Sequence, residues 1–122
     1  MKVFIYFNLH RRLFSVKAME GEFKGRVVAH VDRALLSNAV FKVSQAGRQR
    51  VLREKKKNVH AGVVGNWETV QHYTGSGLTA ITYNPYKYSS FVTRDEEKPV
   101  TSSPLVALSI TDKTTINALQ PV

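Results

Sequence analysis

The chain has 122 residues, of which 43% are hydrophobic and 22% charged, and it contains no cysteine. Those values suit one ordinary globular domain over residues 1–122 and exclude global disorder, a disulfide framework and thiolate chemistry. The net charge of +9 is unevenly placed: residues 1–57 carry fourteen bases and four acids, and residues 58–122 carry four bases and five acids. A one-sided excess of that kind marks a surface that meets phosphates, although a solvated face kept positive for solubility has the same composition.

The N-terminal residues 2–9 alternate, with Val3, Ile5, Phe7 and Leu9 on one face. Period two with β-branched and aromatic residues predicts a strand with at least one well-buried face. The apolar run stops at Asn8 and His10 with no small-residue cleavage site after it. A signal peptide is therefore not expected, and the absence of cysteine makes a reducing cytoplasm the simplest placement while permitting any compartment. No stretch has the apolar length of a membrane-crossing helix. His10-Arg11-Arg12 reads as a turn, and residues 13–19 as a second strand with Phe14, Val16 and Ala18 on one face. Residues 20–25 hold two glycines and form a loop. Residues 26–31 and 35–43 read as a third and a fourth strand, and sequential hairpins of this kind predict an antiparallel meander.

At Ser44 the pattern changes. Ser is a good helix N-cap, and Gln45 to Lys57 consists of helix formers interrupted only by Gly47. Its apolar stripe is narrow, made of Ala46, Val51 and Leu52. Residues 58–73 look extended again, with a turn or bulge at Gly65-Asn66. Further strands are expected over 78–83, 88–94, 105–111 and 114–119, with a Pro-fixed turn at Asn84-Pro85-Tyr86-Lys87. The fold class so derived is α+β: a mainly antiparallel sheet in meander order with one basic helix packed on it.

Sites of chemistry are scarce. The four histidines, at 10, 30, 60 and 72, lack metal-site spacing and have no cysteine partner. No nucleophile elbow or P-loop is present. Gly75-Ser76-Gly77-Leu78-Thr79-Ala80 matches a dinucleotide fingerprint formally, but strand and turn residues follow where a helix must begin. No catalytic residue, metal or cofactor is therefore assigned. Two constellations remain. The first is the run Arg48 to Lys57, with six bases and one acid. On one helix Arg50, Arg53 and Lys57 would align at i, i+3 and i+7, with Lys56 beside them. Three aligned cations repel unless an anion lies between them, and arginine forks suit phosphate. The second is Tyr83, Tyr86, Tyr88, Phe91 and Thr93 with Arg94 beside them. Aromatic faces stack on bases, and hydroxyls and arginine hold ribose and phosphate. A solvated helix and a buried strand would produce the same two patterns.

Four segments carry a family resemblance: Ile5-Tyr6-Phe7-Asn8-Leu9-His10, Phe14-Ser15-Val16-Lys17-Ala18, Gly47-Arg48-Gln49-Arg50-Val51 and Lys57-Asn58-Val59-His60-Ala61-Gly62. They resemble the phage Thoeris anti-defence sponges, which sequester the cyclic ADP-ribose signals of bacterial TIR proteins and, in some members, cyclic oligonucleotides. The resemblance implies a sheet core with helix decoration, a homo-oligomer, and action in the cytoplasm of the infected bacterial host. The function expected is non-enzymatic retention of a cyclic nucleotide, with Arg50, Arg53, Lys56 and Lys57 on phosphates, Tyr83, Tyr86 and Phe91 against a base, and Thr93 and Arg94 assisting. The alternatives are a basic phage protein that binds DNA or RNA or blocks a nucleic-acid enzyme, and an enzyme that cleaves such signals with His60 or His72 as base.

Overall fold

The computed structural model describes residues 1–70, 73–110 and 113–122. In chain order the elements are β1 (Lys2–Asn8), β2 (Leu13–Ala18), β3 (Val27–Val31), β4 (Arg33–Val43), α1 (Gln45–Glu54), β5 (Ala61–Trp67), β6 (Leu78–Thr82), β7 (Val92–Thr93), β8 (Ser102–Ser109) and β9 (Thr115–Leu119). The strands form one antiparallel sheet in the order β3-β2-β1-β5-β4-β8-β9-β6-β7.

The alternation in β1 acts as expected: Val3 and Ile5 are fully buried, while Phe4 and Tyr6 are half-buried on the other face. The turn after β1 is built by Asn8, whose Oδ1 accepts the backbone N–H groups of His10 and Arg11, both at 3.1 Å. An Asx turn thus closes the β1–β2 hairpin. Across the sheet the inward residues stand in rows. Ile5 lies between Val16 and Val63, and Val63 lies opposite Phe41. Leu36 faces Val106, and Val106 faces Ala118. Leu108 faces Ile116, which faces Ile81. Burial of each large member of this core contributes about 1.5–3 kcal/mol. The sheet rolls around these rows, so that Ile5 of β1 and Ile81 of β6 line one cavity although four strands separate them in the sheet.

Several expectations need correction. The class is not α+β: 48% of the chain is strand and 8% helical. The reason lies in α1, which ends at Glu54 because Lys55 takes a left-handed conformation (φ 56°) and donates its N–H to Val51 O. A ten-residue helix that fully buries only Val51 does not make a layer. Ser44 does cap it, its Oγ accepting from Gly47 N at 3.1 Å. The order is not a meander either. β5 inserts between β1 and β4, and β8 and β9 stand between β4 and β6. The expected irregularity at Gly65-Asn66 falls on the neighbouring strand instead. β5 is continuous there, and β4 shifts register between Ser37 and Val40 around Asn38 at φ 46°. Gly65 permits this, since a Cβ on it would lie 2.9 Å from Ser37 O. The strand expected over 88–94 shrinks to the two residues of β7. Gln71 and His72, the latter named above as a candidate base, lie outside the described residues.

Gly47 decides how closely α1 approaches β5. A Cβ there would stand 2.4 Å from His60 Cβ. Replacing a helical glycine by alanine ordinarily stabilises by about 0.5–1 kcal/mol where there is room for the methyl group. Here Gly47→Ala is expected to destabilise by about 1–3 kcal/mol through overpacking, read as a lowered midpoint in denaturant unfolding. A raised midpoint would show that the helix stands away from β5.

Candidate functional site: an aromatic cavity with a cationic rim

The concave side of the rolled sheet holds an open cavity of about 870 Å³. That is the range in which small-ligand sites fall. Its walls come from residues of β1, β2, β5, β6, β8 and β9 together with the segments before β5 and after β6. Ile5, Phe7, Phe14, Val63, Ile81, Leu108 and Ile116 supply an apolar interior. Phe7 meets Phe14 edge to face, with ring centroids 5.7 Å apart.

The segment after β6 forms an aromatic wall. Tyr83 lies 5.2 Å from Phe91, and Phe91 lies 5.1 Å from Phe41, centroid to centroid. Phe91 is 4% exposed, so its ring supports Tyr83 from the core side. Two bonds from α1 hold this wall: Arg48 Nε donates to Pro85 O at 3.0 Å, and Gln45 Nε2 donates to Ser89 O at 2.8 Å. The helix therefore acts as a clamp on the 83–91 segment.

Tyr83 also belongs to a directed hydrogen-bond chain. His60 Nδ1 lies 3.1 Å from the backbone carbonyl oxygen of Asn58 and 3.1 Å from Asn58 Oδ1. A carbonyl only accepts, so Nδ1 carries the hydrogen, and in the Nδ1–H tautomer His60 presents a lone pair at Nε2. The Tyr83 hydroxyl, 2.8 Å away, donates to it. The phenolic oxygen keeps its own lone pairs for another donor. Burial raises the Tyr83 pKa above the usual tyrosine value, and the Arg48 guanidinium partly offsets the rise.

The rim is polar. Lys57 and Arg94 stand at the cavity, and neither side chain has an ion-pair or hydrogen-bond partner among the described residues. Asn8, His10 and Asn84 complete the edge. Of the nine residues expected from the sequence, the cavity brings together Lys57, Tyr83, Tyr86, Phe91 and Arg94. The others lie elsewhere. Arg50 pairs with Glu54 at 3.1 Å and borders a separate hollow of about 280 Å³, and Arg53 reaches Glu54 at 3.6 Å. Lys56 is exposed beyond the helix end. Thr93 is buried, with Oγ1 accepting from Lys98 N at 3.0 Å. The aligned row of Arg50, Arg53 and Lys57 does not form, because α1 stops before Lys57. Missed from the sequence were Phe7, Phe14, Asn8 and Asn58, together with the structural role of His60. The alternation of β1 and β2 already marked Phe7 and Phe14 as inward-facing.

On the outer surface, Tyr88 donates a short hydrogen bond to Glu97, and Lys87 Nζ stands 3.6 Å from the same carboxylate. That hydrogen bond first, and the lysine charge second, hold the Glu97 carboxyl below its usual range. The bond to Glu97 also raises the Tyr88 pKa. Among the described residues no group of three or more His, Asp or Glu could hold a metal ion, and no helix is long and apolar enough to cross a membrane.

The fold and site define a small β-protein rolled around one open, aromatic-walled cavity. The chain belongs to the family described as Mycobacterium phage L5 gene 82 protein, whose model matches residues 1–116. It is similar to the Gene 82 protein of Mycobacterium phage L5, with 41% identity over 117 residues covering 89% of this chain and 90% of that protein. The phage character suggested by the first sixty residues is thus shown. No solved structure matches.

A pH consequence follows for Tyr83. A folded-state pKa above the unfolded value favours the neutral phenol in the folded protein. The stabilisation is full below the unfolded tyrosine value of about 10 and is lost as pH rises through the folded value. In an alkaline ultraviolet titration, Tyr83→Phe is expected to remove one tyrosine from the late-ionising amplitude. An unchanged late amplitude would mean that Tyr83 sits in open water.

Proposed function

We propose that this protein binds a small anionic ligand of nucleotide type in the cavity and retains it without cleaving it. The observation that carries this reading is the pairing of an aromatic wall, Tyr83 on Phe91, with two cations, Lys57 and Arg94, that have no partner among the described residues. Aromatic faces stack on bases, at about 1–3 kcal/mol each. Lys57 and Arg94 are exposed at the rim, and a ligand seated between them and the aromatic wall would shield its contacts with them from screening by salt. The lone pairs left on Tyr83 suit a ligand N–H or O–H group. The finer reading is a phage sponge that sequesters cyclic ADP-ribose isomers, and cyclic di- or trinucleotides, as immune signals in the infected host. Its support is the segment resemblance at residues 5–10, 14–18, 47–51 and 57–62, together with membership of a phage protein family. Binding to DNA or RNA draws its support from the exposed bases of the N-terminal half, and it differs in its steep salt dependence.

The test is calorimetric titration of the purified protein with cyclic ADP-ribose isomers and cyclic di- and trinucleotides, followed by heat denaturation and mass spectrometry of the supernatant. Saturable binding with intact release is expected. Lys57→Ala with Arg94→Ala should weaken it by about tenfold or more, since a hydrogen bond to a charged group contributes about 1.5–3 kcal/mol. Arg50→Ala with Arg53→Ala should leave it unchanged. Binding lost in the second variant and kept in the first would move the site onto the helix. Release of a cleaved product would make the protein an enzyme.

A further inference from the structure

We propose that the Tyr83 phenolic oxygen reads the sugar of the ligand: it accepts a hydrogen bond from a ribose 2′-hydroxyl and so selects ribonucleotides over deoxyribonucleotides. The inference rests on the nucleotide reading above and adds an orientation to it. Tyr83 and His60 both line the cavity. The Tyr83 hydroxyl has one hydrogen, and in the Nδ1–H tautomer His60 takes it at Nε2, 2.8 Å away. Asn58 sets that tautomer, because its backbone carbonyl oxygen and its Oδ1 each lie 3.1 Å from Nδ1. A side-chain amide can be turned round to donate, but a backbone carbonyl cannot. The chain therefore runs one way: Tyr83 donates to His60, and His60 donates to Asn58. Among the described residues nothing donates to the phenolic oxygen. It stands at the cavity wall as an acceptor with a lone pair to spare. Covering it with a ligand that brings no donor costs free energy, so a ligand that brings one is favoured.

The chemistry of a nucleotide decides which of its groups can be that donor. An ionised phosphate carries only acceptor oxygens, so it is repelled from this point and belongs with Lys57 and Arg94 at the rim. A base stacked on Tyr83 lies in a plane parallel to the ring. Phe91 covers one face of that ring, with centroids 5.2 Å apart, so the base takes the other. The N–H groups of a stacked base point outward within their own plane and miss an oxygen that lies in the plane of the phenol. The ribose stands roughly perpendicular to its base, so its hydroxyls leave the base plane. The 2′-hydroxyl sits on the carbon next to the glycosidic bond, nearer the stacked ring than the 3′-hydroxyl. Base, ribose and phosphate then fall in order on the Tyr83 ring, the Tyr83 oxygen and Lys57, which precedes Asn58 in the chain.

The experiment is calorimetric titration of the full chain with adenosine 5′-monophosphate and its 2′-deoxy and 3′-deoxy analogues. It is run at about pH 8, above the range in which imidazole ordinarily takes a second proton. Loss of the 2′-hydroxyl is expected to weaken binding by about tenfold, and loss of the 3′-hydroxyl by less than about twofold. Tyr83→Phe keeps the ring and removes the acceptor. It should bring the ribose and 2′-deoxy ligands to about equal affinity, whereas a merely structural role of the hydroxyl would weaken all three ligands together and leave their ratio unchanged. Far-UV circular dichroism checks the fold of the variant. Nitrogen NMR of the wild-type histidines at the same pH needs no variant and should show His60 protonated at Nδ1 alone. Equal binding of the ribose and 2′-deoxy ligands by the wild type would overturn this proposal and leave the nucleotide reading standing. So would a preference kept in Tyr83→Phe, a preference that follows the 3′-hydroxyl, or a His60 protonated at Nε2. Absence of saturable binding by all three ligands would overturn both.

Discussion

The seam at β5 is the constraint on which the rest of the structure depends. β5 pairs with β1 on one side and β4 on the other, and Val63 stands in one row with Ile5 and Phe41. This double pairing joins the β1-β2-β3 group to β4 and everything beyond it. It also forces the backbones close together. A Cβ at Gly62 would lie 2.4 Å from Ile5 O and 2.7 Å from the Phe4 ring, so the seam tolerates no side chain there. Without it the sheet would divide into two pieces, each too small to curve around a cavity.

Function-bearing groups inherit their positions from that seam. The chain enters β5 through Asn58 and His60, so the strand that closes the sheet also delivers the His60–Tyr83 hydrogen bond. The same entry brings Lys57 to the rim. From the other side, α1 holds the 83–91 segment through Arg48 and Gln45. The basic helix thus has two separate populations of cation. Arg48 is engaged in the structure, and Arg50 and Arg53 share Glu54 in solvent. The cations at the cavity, Lys57 and Arg94, come from outside the helix altogether.

Strands with a buried face were legible from the sequence, because Val3, Ile5, Phe14 and Val16 sit on a period of two. The Ser44 cap was legible for the same local reason: its hydroxyl bonds three residues ahead. Strand order was not, since nothing local to β5 states that it inserts between β1 and β4. The length of α1 was overestimated because Lys55, Lys56 and Lys57 have good helix propensity, yet the chain must turn at Lys55 to reach β5. About half of the expected site residues reach the cavity. Tyr83, Tyr86, Phe91 and Arg94 do so because they are neighbours along one segment. Arg50 and Arg53 do not, because their placement depended on a helix row that stops short. Phe7, Phe14 and Asn58 join the site only through tertiary folding.

The most direct measurement of the central claim is a two-dimensional amide NMR titration of the protein with cyclic ADP-ribose isomers. Shift changes are expected at the cavity-lining positions of β1, β5 and β6 and at Tyr83, Phe91 and Arg94. Residues Arg50 and Arg53 and the outer face of the sheet should stay still. Saturating ligand that moves only the Arg50–Lys56 surface, or moves nothing, would contradict the cavity as the binding site.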